Sequence, residues 1–217
     1  MNTTAATKPK NRKTLGKSRT WWLKQFHTWH WVSAALTLLM MTLFAITGIT
    51  LNHAAIIGAT PTVTTKGGTL PAPLRAKLVP TPAAPDAPLP ADVAAGITQA
   101  VGVDAAGRPG EWSEGEVYVA LPRAGGDGWV SVDRATGKIS AEITDRGWIS
   151  WANDLHKGRN TGAAWNWFID VFAAICILFT LTGLVLLQMN ARFRPKTWPV
   201  VGIGLGITIL FAIFFSH

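Results

Sequence analysis

The stretch Trp31–Leu51 reads WVSAALTLLMMTLFAITGITL and contains no charged side chain. At ~1.5 Å of rise per residue, a helix of this length crosses a hydrocarbon core of ~30 Å. The uncharged stretches 171–191 and 197–216 are long enough to do the same. The sequence therefore predicts a membrane protein with three transmembrane helices, at about Trp31–Leu51, Trp165–Leu187 and Trp198–Phe215.

The distribution of basic side chains predicts the orientation of these helices. Residues 1–25 contain seven Lys and Arg residues and no acid, and the short loop before the third span adds Arg192, Arg194 and Lys196. Because basic flanks stay in the cytoplasm, the N-terminus is predicted to be cytoplasmic and the C-terminus to be periplasmic. Topology also explains much of the net charge of +8, so lipid is the predicted partner and nucleic acid is not.

The segment between the first two spans predicts a small α+β module outside the cytoplasm. Residues 91–101 have apolar side chains at a spacing of four, which favours a short helix. Strand patterns follow at 116–121, 128–132 and 138–143, with turn-rich sequence between them. The residues before this helix are rich in Pro, Ala and Thr and are interpreted as a linker, with ordered structure beginning near Pro90.

These observations give a membrane α-helical bundle of three transmembrane helices with a small extracytoplasmic α+β module. The predicted segments are a basic cytoplasmic tail at 1–25, helix one at 26–53, the linker at 54–89, the module and lead-in at 90–160, helix two at 161–190, a cytoplasmic loop at 191–197 and helix three at 198–217.

Four histidines lie near the ends of the first two spans. His53 and His156 are predicted on the same side of the membrane, and two imidazoles from different helices are a usual way to hold a haem iron. His27 and His30 are three residues apart and share one helix face, so they do not clamp a haem between them. His30 is a candidate for a second haem, with its second ligand from another protomer. For all four, ordinary placement at the membrane interface is the alternative.

Arg159 follows His156 by three residues and has two interpretations. Its forked guanidinium suits a haem propionate. The alternative is a salt bridge with Asp154.

A faint repeat relates the first two spans. Trp29-His30-Trp31 is followed by Ile46-Thr47-Gly48, and Trp165-Asn166-Trp167 is followed by Leu181-Thr182-Gly183. Because successive spans run in opposite directions, this would be an inverted repeat. The alignment matches His30 with Asn166, so it predicts that the histidines do not repeat.

Several short elements resemble the PepSY-associated transmembrane family. Val130–Ile139, VSVDRATGKI, is similar to the strand-turn-strand end of a PepSY domain. The elements within the membrane part that carry the resemblance are Phe26–Trp31, Ile46–His53, Leu155–Arg159 and Leu181–Gly183. The resemblance implies a bacterial inner-membrane protein with a PepSY-like module. It also implies b-type haem, one or two per chain, and reduction of ferric iron or ferric siderophores.

The resulting prediction is a haem-b electron-transfer protein, with a ferric-reductase-type membrane oxidoreductase as the candidate enzyme class. The predicted cofactor-binding residues are His27, His30, His53, His156 and Arg159. His53 and His156 are the predicted ligands of the haem iron. A homo-oligomer or a redox partner protein is compatible with this reading. The alternatives are a non-redox membrane adaptor, a PepSY protein that restrains a protease, or an accessory subunit of a larger redox complex.

Overall fold

The computed structural model describes residues 17–58 and 60–215. Most of the basic N-terminal segment and His217 therefore lie outside the described residues. The described residues form two compact units, one from 17–39 together with 170–215 and the other from 40–58 together with 60–169.

The described helices are α1 (Lys17–Asn52), α2 (Ala72–Arg75), α3 (Ala91–Val101), α4 (Gly147–Lys157), α5 (Ala163–Asn190) and α6 (Thr197–Phe214). The described strands are β1 (Thr62–Thr69), β2 (Glu111–Trp112), β3 (Glu116–Ala120), β4 (Gly126–Asp133) and β5 (Lys138–Asp145).

The three predicted spans correspond to α1, α5 and α6, which are long and apolar enough to cross a membrane. Helix α1 begins at Lys17, before the predicted bound of helix one at residue 26, and it includes His27 and His30 as predicted. The exposed surfaces of α1, α5 and α6 consist largely of apolar side chains such as Leu39, Ile177 and Ile203, as expected for helices solvated by lipid. The prediction of a membrane protein with three apolar helices is confirmed.

The α+β module is built on one antiparallel sheet in the order β1-β5-β4-β3-β2. Inward side chains alternate along the strands, as for Val130 and Val132 in β4, and they form one core with α3. Helix α3 has the predicted bounds and buries Val93 and Ile97. The residue that caps its C-terminal end is Gly102, whose φ of 65° is the left-handed conformation common at that position. The predicted α+β architecture is confirmed.

The structure differs from the prediction of a linker at 54–89. Strand β1 pairs with β5 along its whole length, from Thr62 opposite Asp145 to Thr69 opposite Lys138. Its β-branched Thr and Val residues favour an extended strand. The Pro-rich segment after it also contributes to the core, because Leu70, Leu78 and Leu89 are buried. The module therefore begins near Thr62 and not near Pro90.

Candidate functional site

His156 lies in the last turn of α4 and is held against the membrane helix α1. Its Nδ1 is 2.7 Å from Thr47 Oγ1, and its ring lies on that of Phe44 with a centroid separation of 4.6 Å. Gly48 completes the contact, since a Cβ at that position would lie 3.8 Å from Cε1 of His156. One short segment of α1 thus surrounds one side of the imidazole.

The partners of Thr47 determine which nitrogen of His156 carries the hydrogen. The Thr47 hydroxyl is 2.9 Å from the carbonyl oxygen of Leu43, an acceptor that a helical threonine commonly uses. A hydroxyl has one hydrogen to donate, so Thr47 accepts from His156. The hydrogen-bond network therefore assigns the neutral His156 hydrogen to Nδ1 and leaves a lone pair on Nε2.

Helix α4 is fixed to the sheet module by Asp154. This buried carboxylate accepts a hydrogen bond of 2.9 Å from the backbone N–H of Gly125, in the turn before β4. It also forms a salt bridge with Arg159, whose Nη2 is 2.9 Å away. Arg159 therefore makes the ion pair that was the alternative to propionate binding. Asp154 and His156 both lie on α4, two residues apart, so the same helix contacts the sheet module and carries the imidazole.

His30 occupies an equivalent environment in the other unit. Its Nδ1 is 3.2 Å from both the carbonyl oxygen of Phe179 and the hydroxyl of Thr182, and its ring is stacked on Phe179 at 4.7 Å. The Thr182 hydroxyl donates to the carbonyl of Leu178 at 2.7 Å. A Cβ at Gly183 would lie 3.2 Å from Cε1 of His30. By the same reasoning, His30 carries its hydrogen on Nδ1 and has a free lone pair on Nε2.

The two environments share the pattern Phe-x-x-Thr-Gly, at Phe44–Gly48 and Phe179–Gly183. The alignment that matched His30 with Asn166 is wrong as a guide to the histidines, because His156 has the contacts that correspond to those of His30. The tryptophan pairs that guided the alignment lie on α1 and α5, whereas His156 lies on the separate helix α4. The Phe three residues before each Thr-Gly is the sequence signal that relates the two segments of α1 and α5.

His53 and His27 have fewer contacts. His53 follows the end of α1, and its exposed ring donates from Nδ1 to the carbonyl oxygen of Ile49 at 2.9 Å. Its Nε2 is therefore also free to bind an electrophile. No hydrogen bond or ring contact in the described part of the chain joins His53 to His156. The His27 side chain is exposed.

A family model described as Putative PepSY_TM-like matches residues 21–217. The chain belongs to this family. Comparisons with curated proteins and with solved structures give no match. The match covers all three apolar helices together with the module, which confirms the resemblance drawn from the short elements. The protein is therefore a PepSY-associated membrane protein with a PepSY-like α+β module.

Proposed function

We propose that this protein binds b-type haem and transfers electrons across or at the bacterial inner membrane to an acceptor on the periplasmic side, with ferric iron or a ferric siderophore as that acceptor. The basic flanks support a cytoplasmic N-terminus and a periplasmic PepSY-like module. His53 and His156 are the proposed ligands of the haem iron, and they lie at the periplasmic end in this orientation.

The observation that carries the proposal is the hydrogen bond between His156 and Thr47. Metal-bound histidines almost always donate their second ring N–H to an oxygen atom, which fixes both the tautomer and the ring orientation. The 2.7 Å contact from Nδ1 to the Thr47 hydroxyl provides this arrangement. It leaves Nε2 as the nitrogen able to bind iron.

The other proposed donors are chemically suited to the same group. His53 donates from Nδ1 to the Ile49 carbonyl, so its Nε2 also retains a lone pair. Arg159 uses Nε and Nη2 for Asp154, and its Nη1 is left to donate to a propionate. When bound, the haem would supply one-electron chemistry, while these residues would hold and orient it.

The proposal is tested by the optical spectrum of the full-length protein purified from haem-replete cells. We expect a Soret band and sharp α and β bands on reduction with dithionite. His53→Ala and His156→Phe should lose these bands, and the phenyl ring of the second variant retains the contact with Phe44. Lys157→Ala is the control, because Lys157 is an exposed residue of the same helix α4, and it should keep them. A colourless wild-type preparation, or a normal spectrum in both ligand variants, contradicts the proposal.

A threonine variant separates positioning of the ligand from general damage. Thr47→Val removes the acceptor of His156 and nearly preserves side-chain volume, and loss of such an outer contact typically weakens metal affinity about 10–100-fold. Thr182→Val is the matched control, because Thr182 supports His30 instead. Haem titration of the two apo-proteins should show a lower haem affinity at His53 and His156 only for Thr47→Val.

Electron delivery is tested by mixing the reduced protein with ferric citrate or a ferric siderophore under anaerobic conditions. The α band should disappear at a rate that depends on the concentration of the ferric compound. A reduced spectrum that persists would exclude these acceptors and leave haem binding intact.

A role as a membrane adaptor is the second candidate, and the edge of the sheet favours it. Strand β1 is at one edge, and seven of its eight residues are exposed. Its outer N–H and C=O groups are available to an added strand from a partner protein. Two results together would favour this function. The purified protein would be colourless, and a partner protein would co-purify with the wild type but not with Thr64→Pro.

A further inference from the structure

A cavity of about 650 Å³ lies beside His30 in the unit that contains the N-terminal part of α1. This volume is within the range of about 300–1,000 Å³ that is usual for small-molecule sites. Along α5 and the chain that leads into α6, the lining includes Leu186, Leu187, Asn190, Arg194 and Thr197. The cavity therefore combines an apolar wall with a small number of polar groups.

The polar groups have defined hydrogen-bonding roles. His30 donates from Nδ1 to Phe179 and Thr182, so its Nε2 can only accept. Asn190 donates from Nδ2 to the carbonyl oxygen of Leu186 at 2.9 Å. Arg194 forms no salt bridge among residues 17–58 and 60–215, and its guanidinium is a donor only. A matching ligand has a hydroxyl hydrogen for His30 and an oxygen acceptor for Arg194.

We propose that this cavity binds a membrane quinol. A quinol carries two hydroxyl groups on opposite edges of an apolar ring. One hydroxyl donates to Nε2 of His30, and the opposite oxygen accepts from Arg194. Leu186 and Leu187 contact the ring and the start of the tail, which continues into lipid.

Two other occupants match the cavity less well. A phospholipid phosphate accepts from Arg194 but has no hydrogen of its own for His30; a glycerol headgroup does carry hydroxyl hydrogens, so phosphatidylglycerol is used as the competitor below. A bis-histidine haem needs a second imidazole, and His27 lies on the same helix face as His30, so that ligand would have to come from another protomer. The quinol uses both polar groups.

The inference goes beyond the proposed function, because it assigns a quinol-binding site at the predicted cytoplasmic end and includes no electron-transfer step. Binding itself requires no haem, so the two proposals can fail separately. A colourless protein that binds quinol contradicts only the haem proposal. A red protein that binds no quinol contradicts only this one.

The test is isothermal titration calorimetry of the full-length protein in detergent micelles, with empty micelles as the blank. The probes are decylubiquinol and its dimethyl ether, which has the same ring and tail but no hydroxyl hydrogen. We expect the quinol to bind about tenfold more tightly than the ether, the usual scale for one hydrogen bond. Equal affinities would overturn the proposal.

Variants locate the binding site. His30→Phe retains the stacking on Phe179 and should abolish the preference for quinol over ether, with the ether affinity unchanged. Arg194→Ala should weaken quinol binding several-fold. Arg19→Ala is the matched control, because Arg19 is an exposed arginine of the same unit that is not among the residues lining the cavity, and it should bind as the wild type does.

Three results would reject the assignment. The first is quinol affinity that survives both His30→Phe and Arg194→Ala. The second is complete displacement of the quinol by phosphatidylglycerol, which identifies a lipid headgroup site. The third is loss of a haem spectrum in His30→Phe alone, which makes His30 an iron ligand. Elution volume and thermal unfolding establish that each variant is folded.

Discussion

Replacement of Arg134 is expected to lower the free energy of unfolding of the PepSY-like module by more than replacement of an exposed charged residue on the same sheet. Arg134 follows β4 and is only 9% exposed. Its Nε donates to the carbonyl of Leu78 at 2.8 Å, and Nη2 donates to that of Val79 at 2.7 Å. Nη1 donates to the carbonyl of Ser113. The guanidinium thus ties the Pro-rich segment after β1 to the body of the module.

The magnitude follows from these contacts. Hydrogen bonds from a charged donor contribute ~1.5–3 kcal/mol each, and they are not additive when they share one side chain. Arg134→Met fills the space of the stem but leaves several carbonyl groups without a donor. We expect the free energy of unfolding of the module to fall by ~3–5 kcal/mol, which corresponds to about two such hydrogen bonds.

The assay is thermal unfolding of the full-length protein in detergent, followed by tryptophan fluorescence. For a domain of this size ~1 kcal/mol corresponds to ~4–8 °C, so the midpoint should fall by at least ~12 °C. Arg123→Met is the matched control. Arg123 pairs with Asp145 at 2.9 Å on an exposed surface, and such pairs contribute only ~0–1 kcal/mol. Similar midpoints for the two variants would refute the reasoning.

Three further predictions concern the module. Gly125→Ala should lower the unfolding midpoint, because φ at this position is +74° and a Cβ would lie 2.6 Å from a side-chain carbon of α4; Gly115→Ala, with open space around it, should not. The backbone N–H of Thr136 lowers the pKa of Asp133, so Asp133 stabilises the fold above the unfolded pKa of ~3.9 and loses this effect as pH falls. The difference between the midpoints of wild type and Asp133→Asn should therefore be largest at pH 7 and decrease as the pH falls below ~3.9. A difference that does not change with pH contradicts this cause. Burial, reinforced by nearby carboxylates, raises the pKa of Tyr118 above 10.0, and as the one tyrosine of the chain it should titrate at 295 nm above the value seen after denaturation.

The membrane helices and much of the module could be predicted because each has a local sequence signal. Uncharged apolar runs identify α1, α5 and α6, and the spacing of apolar residues identifies α3. Strand β1 lacks such a signal, because nearly all its side chains are exposed and show no alternation of burial. Its position depends on the hydrogen-bond ladder with β5, which joins residues far apart in the sequence. A prediction from local pattern therefore assigned it to a linker.

The histidine environments were hidden for a related reason. The candidate residues could be identified by type and by their place near the membrane spans, but their partners come from other helices. His30 meets α5, and His156 meets α1 from α4. Sequence spacing near each histidine carries no information on these contacts. Arg194 was likewise used only to predict the orientation in the membrane, and its position beside the cavity was not predicted.

The pattern Phe-x-x-Thr-Gly has a separate physical role for each of its named residues. The aromatic ring stacks on the imidazole, as Phe179 does on His30. The threonine hydroxyl gives its hydrogen to its own helix and thereby accepts from Nδ1, as Thr182 does. The glycine allows the imidazole to approach the helix closely. Because the combination holds the ring position and the tautomer together, both proposals use the Nε2 lone pair of the histidine concerned. A histidine that only anchors a helix at the membrane surface needs none of these three contacts, and this is the reason that we propose ligand binding at both positions.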